Sequence, residues 1–282
     1  MIRRKKEEGR RKEAAALVAR ALAACFLLPL FFLLPSSSSF LLAGSAQDRP
    51  LPDASVLFNA ARENIARAGR VQDQFAYKER RTQVHMNPFG RLGTGGTIVY
   101  EITPSQPGPG FTRRLLERDG KPLADGEVEH FGQRRRRDRA QSPSAIQDAA
   151  AALDFAMDGR VIVNGRPMIL VTFTPRRDAR PATREGRLAR AFSGKVWVDE
   201  AEQEVMRAEA TAIDSISYGY GLIARLNEGT VVTLLRERVD DDIWLPTSIR
   251  FQGEGRALLL RKLTVDFRID WFDYRRLPPA DQ

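Results

Sequence analysis

Cysteine and histidine are almost missing from this chain. Of 282 residues one is cysteine, Cys25, and two are histidine, His85 and His130. A lone cysteine excludes an intrachain disulfide and a thiolate metal cage. The histidines sit in the polar stretches TQVHMNP and EVEHFGQ. A serine triad needs a histidine base with an orienting acid and a serine in an elbow context, and no G-x-S-x-G is present. The glycine-rich stretches LGTGG and GPG lack both the Lys-Ser/Thr pair and the following helix of a phosphate cradle. Glu127 and Glu129 beside His130 read as an exposed loop, and Asp240-Asp241-Asp242 as a hairpin turn without the spaced acids and glycine of a calcium loop. The sequence predicts a protein that is not an enzyme, with no metal and no cofactor.

Long apolar runs are also scarce, with one exception. A charged head, MIRRKKEEGRRKE, precedes AAALVARALAACFLLPLFFLLP, and small residues follow at Gly44-Ser45-Ala46. That layout predicts an export signal cleaved after Ala46 and a periplasmic destination. Two alternatives stand beside it. The segment is an uncleaved anchor, although its uninterrupted core, Ala21 to Leu34, is short against the ~20 residues of a spanning helix. Or LAAC, Leu22 to Cys25, is a lipoprotein cleavage box. Without residues 1–46 the chain loses eight of its 45 basic and three of its 36 acidic residues, which lowers the net charge from +9 to +4 over 236 residues. That is no nucleic-acid footprint. These 236 residues, 47–282, are enough for one core, and a single domain is expected.

What is present is alternation. Residues 53–69 carry Leu57, Ala61, Ile65 and Ala68 at helical spacing, with Asp53 as cap and Gly69 as stop. From Val71 the period changes to two. QFAYKERRTQV, TIVYEIT and GFTRRLLERDGKPL read as strands, and RVIVNGRPMILVTFT as a hairpin closed by Asn164-Gly165. FSGKVWVDEAEQEVMRAEA is a second hairpin, around an acidic turn. TVVTLLRERV, TSIRFQG and LLRKLTVDFRIDWFDYRRL complete the series. One helix interrupts it: Ser142 and Pro143 open SAIQDAAAALDFAMDG, with Ile146, Ala149, Ala150, Leu153 and Met157 at helical spacing. PRRDARPATREGRLARA (175–191) reads as a basic loop.

About ten antiparallel strands, apolar on one face and polar on the other, predict a mainly β protein. Its sheet is strongly curved and unclosed, a half-barrel covered by an N-terminal and a mid-chain helix. The concave face is assigned to Ile98, Tyr100, Ile102, Phe173, Ile249, Phe251, Val265, Phe267 and Ile269. Ile146, Leu153 and Met157 of the mid-chain helix are assigned to a lid. Such a face is either filled or leaves a cavity for an apolar guest, and the four alanines Ala149–Ala152 favour the cavity.

The pattern resembles the bacterial outer-membrane lipoprotein-sorting proteins with the LolA-like unclosed barrel, a fold shared with a related outer-membrane receptor and periplasmic stress-sensor regulators. The stretches that carry the resemblance are FSGKVWVDEAEQEVMRAEA, with Asp199 closing one strand and Arg207 on the return, and IWLPTSIRFQ (243–252). The resemblance implies acyl chains held in the concave cavity under helical lids, with an arginine keeping the lid shut. The expected protein is therefore a monomeric, non-enzymatic carrier of a lipid, acyl chain or acylated protein. Arg134–Arg137 is available for an anionic membrane surface. The alternative is a regulatory protein of the same fold that binds a protein partner.

Overall fold

The computed structural model describes residues 49–86, 96–105, 110–123, 128–131, 148–218, 224–240, 243–257 and 261–278. Helix α1 (Ala54–Val71) starts where Asp53 takes a hydrogen bond from the Val56 N–H at 3.0 Å. The helix runs past Gly69 and ends in a 3₁₀ turn over Gln72–Gln74, so Gly69 does not stop it.

The strands follow in chain order: β1 (Phe75–Met86), β2 (Thr97–Pro104), β3 (Phe111–Arg118), β4 (Lys121–Pro122) and β5 (Val128–Phe131). After them come β6 (Leu153–Val163), β7 (Arg166–Pro175), the short helix α2 (Arg184–Ala189), β8 (Phe192–Asp199) and β9 (Val205–Ala212). The last are β10 (Ile216–Tyr218), β11 (Ala224–Leu226), β12 (Val231–Asp240), β13 (Ile243–Ala257) and β14 (Arg261–Arg276).

They form one antiparallel sheet in the order β4-β3-β2-β1-β14-β13-β12-β9-β8-β7-β6, with β5 on β3 and the β10–β11 pair beside β13. Among the described residues the end strands β4 and β6 do not pair with each other, so the sheet is an unclosed half-barrel. Tight turns set the registers. Asn164 and Gly165 both take positive φ, 50° and 77°, as do Asp119 and Gly120 at 52° and 76°. A two-residue turn matching the right-handed strand twist requires that geometry.

Residues paired across an antiparallel sheet share a face, so the register shows which side chains meet. Phe155, Phe173, Gly194, Ala210, Val232, Phe251 and Phe267 form one row across seven strands. Met157, Val171, Val196, Ala208, Leu234, Ile249, Ile269, Arg81 and Ile98 form the next. Leu57, Phe58 and Ala61 of α1 pack on this face and join most of these residues in the main core. The opposite face is charged, with Arg250 held by Asp266 (2.7 Å) and Arg268 by Asp270 (2.7 Å).

Two expectations need correction. Only residues 148–151 of the mid-chain segment are helical among those described, and Leu153 and Met157 lie on β6. They are therefore not on a helical lid. Leu153, Phe155 and Met157 also alternate with Asp154, Ala156 and Asp158, and ten cross-strand partners on β7 outweigh the helical reading. Ile146 lies outside the described residues. The 175–191 loop, in turn, contains α2, whose N-cap Thr183 accepts from the Gly186 N–H at 3.0 Å.

Candidate functional site

Small residues on β9 line a hollow in the concave face. Where Phe155 and Phe173 are large, their row continues as Gly194 and Ala210, and Ala208 lies in the next row. Gly194 has to stay small: a Cβ there would meet the Phe173 ring at 2.7 Å and the Glu209 carbonyl oxygen at 2.0 Å. The hollow is a cavity of about 70 Å³. Its floor is Phe173, Val196, Val198, Val205, Ala208 and Ala210, and its walls are Leu153 and Phe155 of β6 with Ala189 and Phe192 beside α2. Ala61, Arg62 and Ile65 of α1 roof it. Phe155 lies at the centre of an aromatic cluster, with ring centroids 6.3 Å from Phe58 and 6.2 Å from Phe173.

The lining is apolar apart from Arg62. The volume is far below the roughly 300–1,000 Å³ of a pocket that encloses a small molecule.

The acidic turn between β8 and β9 anchors the roof. Asp199 folds the turn by accepting from the Ala201 and Glu202 N–H groups at 3.0 and 2.9 Å. Arg166 of β7 donates to Asp199 at 2.7 Å and also to Glu202, which pairs with Arg238 and accepts from the Trp244 indole at 2.7 Å. With Arg238 first among these donors, the Glu202 carboxyl is lowered to about 2. Glu200 is held in bidentate fashion by Arg160, both contacts 2.6 Å, and Arg160 also donates to the Arg49 and Pro50 carbonyls. Glu204 is buried and accepts from Arg236 at 2.9 Å, while Arg236 donates further to the Val205 and Trp244 carbonyls. Burial pushes the Glu204 carboxyl up despite Arg236 and Arg67.

Helix α1 reaches this turn twice. Asn64 donates to the Glu202 and Gln203 carbonyls, both at 3.1 Å, and Arg67 sits 3.5 Å from Glu204.

The far end of the concave face is polar. Glu79, 3% exposed, accepts from Arg81 at 2.5 Å and from the Trp271 indole at 3.0 Å. The Tyr100 ring lies between the guanidiniums of Arg81 and Arg113, 5.4 and 4.5 Å from its centroid.

The residues assigned to the concave face from sequence are therefore distributed unevenly. Phe173 lines the cavity, with Leu153 beside it. Ile249, Phe251 and Phe267 are buried in the main core, with Ile269 packed against it. Val265 lies on β14, paired with His85 of β1. Ile98, Tyr100 and Ile102 are on β2, at the polar end. Arg134–Arg137 falls outside the described residues. Arg207, the basic residue on the return strand of the hairpin, stacks over Trp197 at 4.9 Å and pairs with Glu209; Arg166 is the arginine at Asp199. Among the described residues no group of acids, cysteines or histidines is placed to hold a metal, and no helix is long and apolar enough to cross a membrane.

No protein-family model matches the chain, and no curated protein matches its sequence. Solved structures similar to it include a DUF1329 family protein from Desulfovibrio piger, at 15% identity and TM-score 0.32, covering 80% of this chain and 94% of that one. A putative outer membrane lipoprotein-sorting protein domain from Vibrio parahaemolyticus is similar at 9% identity and TM-score 0.35, over 77% and 92% of the two chains. A LolA superfamily protein from Nitrosomonas europaea is similar at 12% and 0.29, over 79% and 97%. At these identities and scores the likenesses add nothing about individual residues or activity.

Proposed function

We propose that this protein is a non-enzymatic carrier that holds one apolar chain, of a lipid or an acylated protein, between α1 and the half-barrel. The supporting observation is the apolar cavity roofed by Ala61 and Ile65 over Ala208 and Ala210. Helix α1 swings away, the chain takes the place of Leu57, Phe58 and Ala61, and release reverses the exchange. Burial supplies ~0.8 kcal/mol for each CH₂ removed from water, so a chain of several methylenes offsets the lost packing of the helix. The export layout read in residues 1–46 supports a periplasmic setting for this exchange.

Native mass spectrometry with lipid extraction, on protein purified without detergent, tests the reading. A stoichiometric adduct of lipid mass is expected. Ala210→Leu, on the cavity floor and so left in place when α1 moves, should abolish it at an overpacking cost of about 1–3 kcal/mol while the protein still folds.

A second reading has its own observation. β6 ends the strand run, and among the described residues its outer edge carries no partner strand. Such an edge can pair with an extended peptide. A clean apo mass, together with no uptake of a fluorescent fatty acid, would favour this protein-binding reading.

A further inference from the structure

We infer that the β7–β8 connection, residues 176–190, is a docking face for an anionic lipid bilayer and presents the cavity mouth to it. This rests on the carrier reading above and names the surface that reading would work at.

The segment RRDARPATREGRLAR holds six arginines against two acids, Asp178 and Glu185. Its net charge of +4 equals that of all 236 residues from 47 to 282. The remainder of that region sums to zero, with RRRRDR (134–139), itself +4, outside the described residues; among the described residues the connection is a concentrated basic segment. Arg177, Arg180, Arg187 and Arg190 are exposed there.

The connection is also built to keep its shape. Arg187 donates to the Ala182 carbonyl at 2.6 Å and Arg190 to the Ala179 carbonyl at 2.9 Å. Asp148 accepts from the Thr183 N–H and hydroxyl at 2.8 and 2.5 Å, with Arg187 adding a weaker attraction. Arg176 is tied to Asp154 at 2.9 Å.

Position links the charge to the cavity. On α2, Leu188 and Ala189 are buried while Arg187 faces solvent, and Arg190 follows directly. Ala189 and, two residues beyond Arg190, Phe192 line the cavity, and Arg62 of α1 is its one charged lining residue. Guanidiniums suit phosphate oxygens because their planar fork binds two at once. A bilayer offers both a sheet of phosphates and apolar chains for the adjoining cavity. A nucleic acid offers phosphates alone, and residues 176–190 contain no aromatic side chain on which a base could stack.

The test uses the protein expressed with export, its N-terminus checked by mass to begin after Ala46, purified without detergent and mixed at low salt with vesicles of phosphatidylcholine alone or blended with phosphatidylglycerol. Binding is read by co-sedimentation, and fatty-acid probe uptake is read separately. The protein should sediment with the anionic vesicles, lose that binding as salt rises, and ignore the zwitterionic ones. Arg177→Gln with Arg180→Gln should weaken binding about thirtyfold, at ~1 kcal/mol per arginine near an anionic surface. Arg118→Gln with Lys195→Gln removes the same charge from exposed sites elsewhere and should leave binding within about twofold. Equal loss in the two variants overturns the inference, because net charge alone would then be responsible. Sedimentation that does not depend on phosphatidylglycerol overturns it too, as does tighter binding to duplex DNA than to the anionic vesicles. Probe uptake without vesicle binding rejects the docking face and leaves the carrier standing. Vesicle binding without uptake rejects the carrier and leaves the docking face.

Discussion

At the scale of residues, the acidic turn Asp199–Glu204 separates two kinds of ion pair. Glu204 and Arg236 are both almost fully buried, 2% exposed each. Breaking such a pair leaves a charge in a medium that solvates it poorly, whereas removing both partners does not. Arg236→Leu should therefore cost about 3 kcal/mol in urea unfolding, with Arg67 still near Glu204, and the double variant Arg236→Leu/Glu204→Leu should recover more than half of that. Glu202 is different. Its folded value of about 2 lies below the ordinary 4.5, so its stabilising contribution is complete above about pH 4.5 and disappears as pH falls towards 2. Glu202→Gln should flatten the acid limb of the stability curve in that window and leave the slope near neutrality unchanged. A sequence cannot show this network. DEAEQE reads as a solvated turn, because its partners Arg160, Arg166, Arg236 and Arg238 lie on other strands, 32 to 40 residues away in the contacts they make.

Among the elements, α1 is the one whose attachment differs from the rest. Its apolar face joins the core through Leu57, Phe58 and Ala61, and Asn64 and Arg67 tie it to the acidic turn. Asn64→Ala with Arg67→Ala should loosen the roof without unfolding the sheet. The expected readout is faster fatty-acid probe uptake and faster amide exchange confined to α1; exchange that speeds up equally in β8 and β9 would mean that the helix does not move as a unit. Most strands could be read from the period of two and from Asn164-Gly165. The failure at Leu153–Met157 has a definite cause: Leu153 and Met157 fit a helix, but Leu153, Phe155 and Met157 fit a strand equally well. Only the presence of β7 alongside decides it. The cavity was partly legible in the same way. Alternation put Phe173 on the face that lines the hollow, but the hollow also needs Ala208 and Ala210, and small residues give little hydrophobic signal.

For the whole molecule, what the sequence withheld was the strand order. The first strand and the last, β1 and β14, lie side by side in the interior of the sheet, in a register running from Phe75 with Arg276 to Met86 with Thr264. Interior strands exchange their amides slowly and edges quickly, so β13, β14 and β1 should be the most protected and β4 and β6 the least. That seam also governs timing. The Glu79–Trp271 contact closes a loop of 192 residues, and contacts of such separation form late because chain entropy must be lost before they reward it. The unit of β1 to β3 therefore lacks its sheet neighbour β14 until the chain is nearly complete, whereas the partners of α1 on β6 to β9 are made well before. During synthesis the two halves of the sheet wait as separate open edges, and β14, the last strand to emerge, joins β13 to β1.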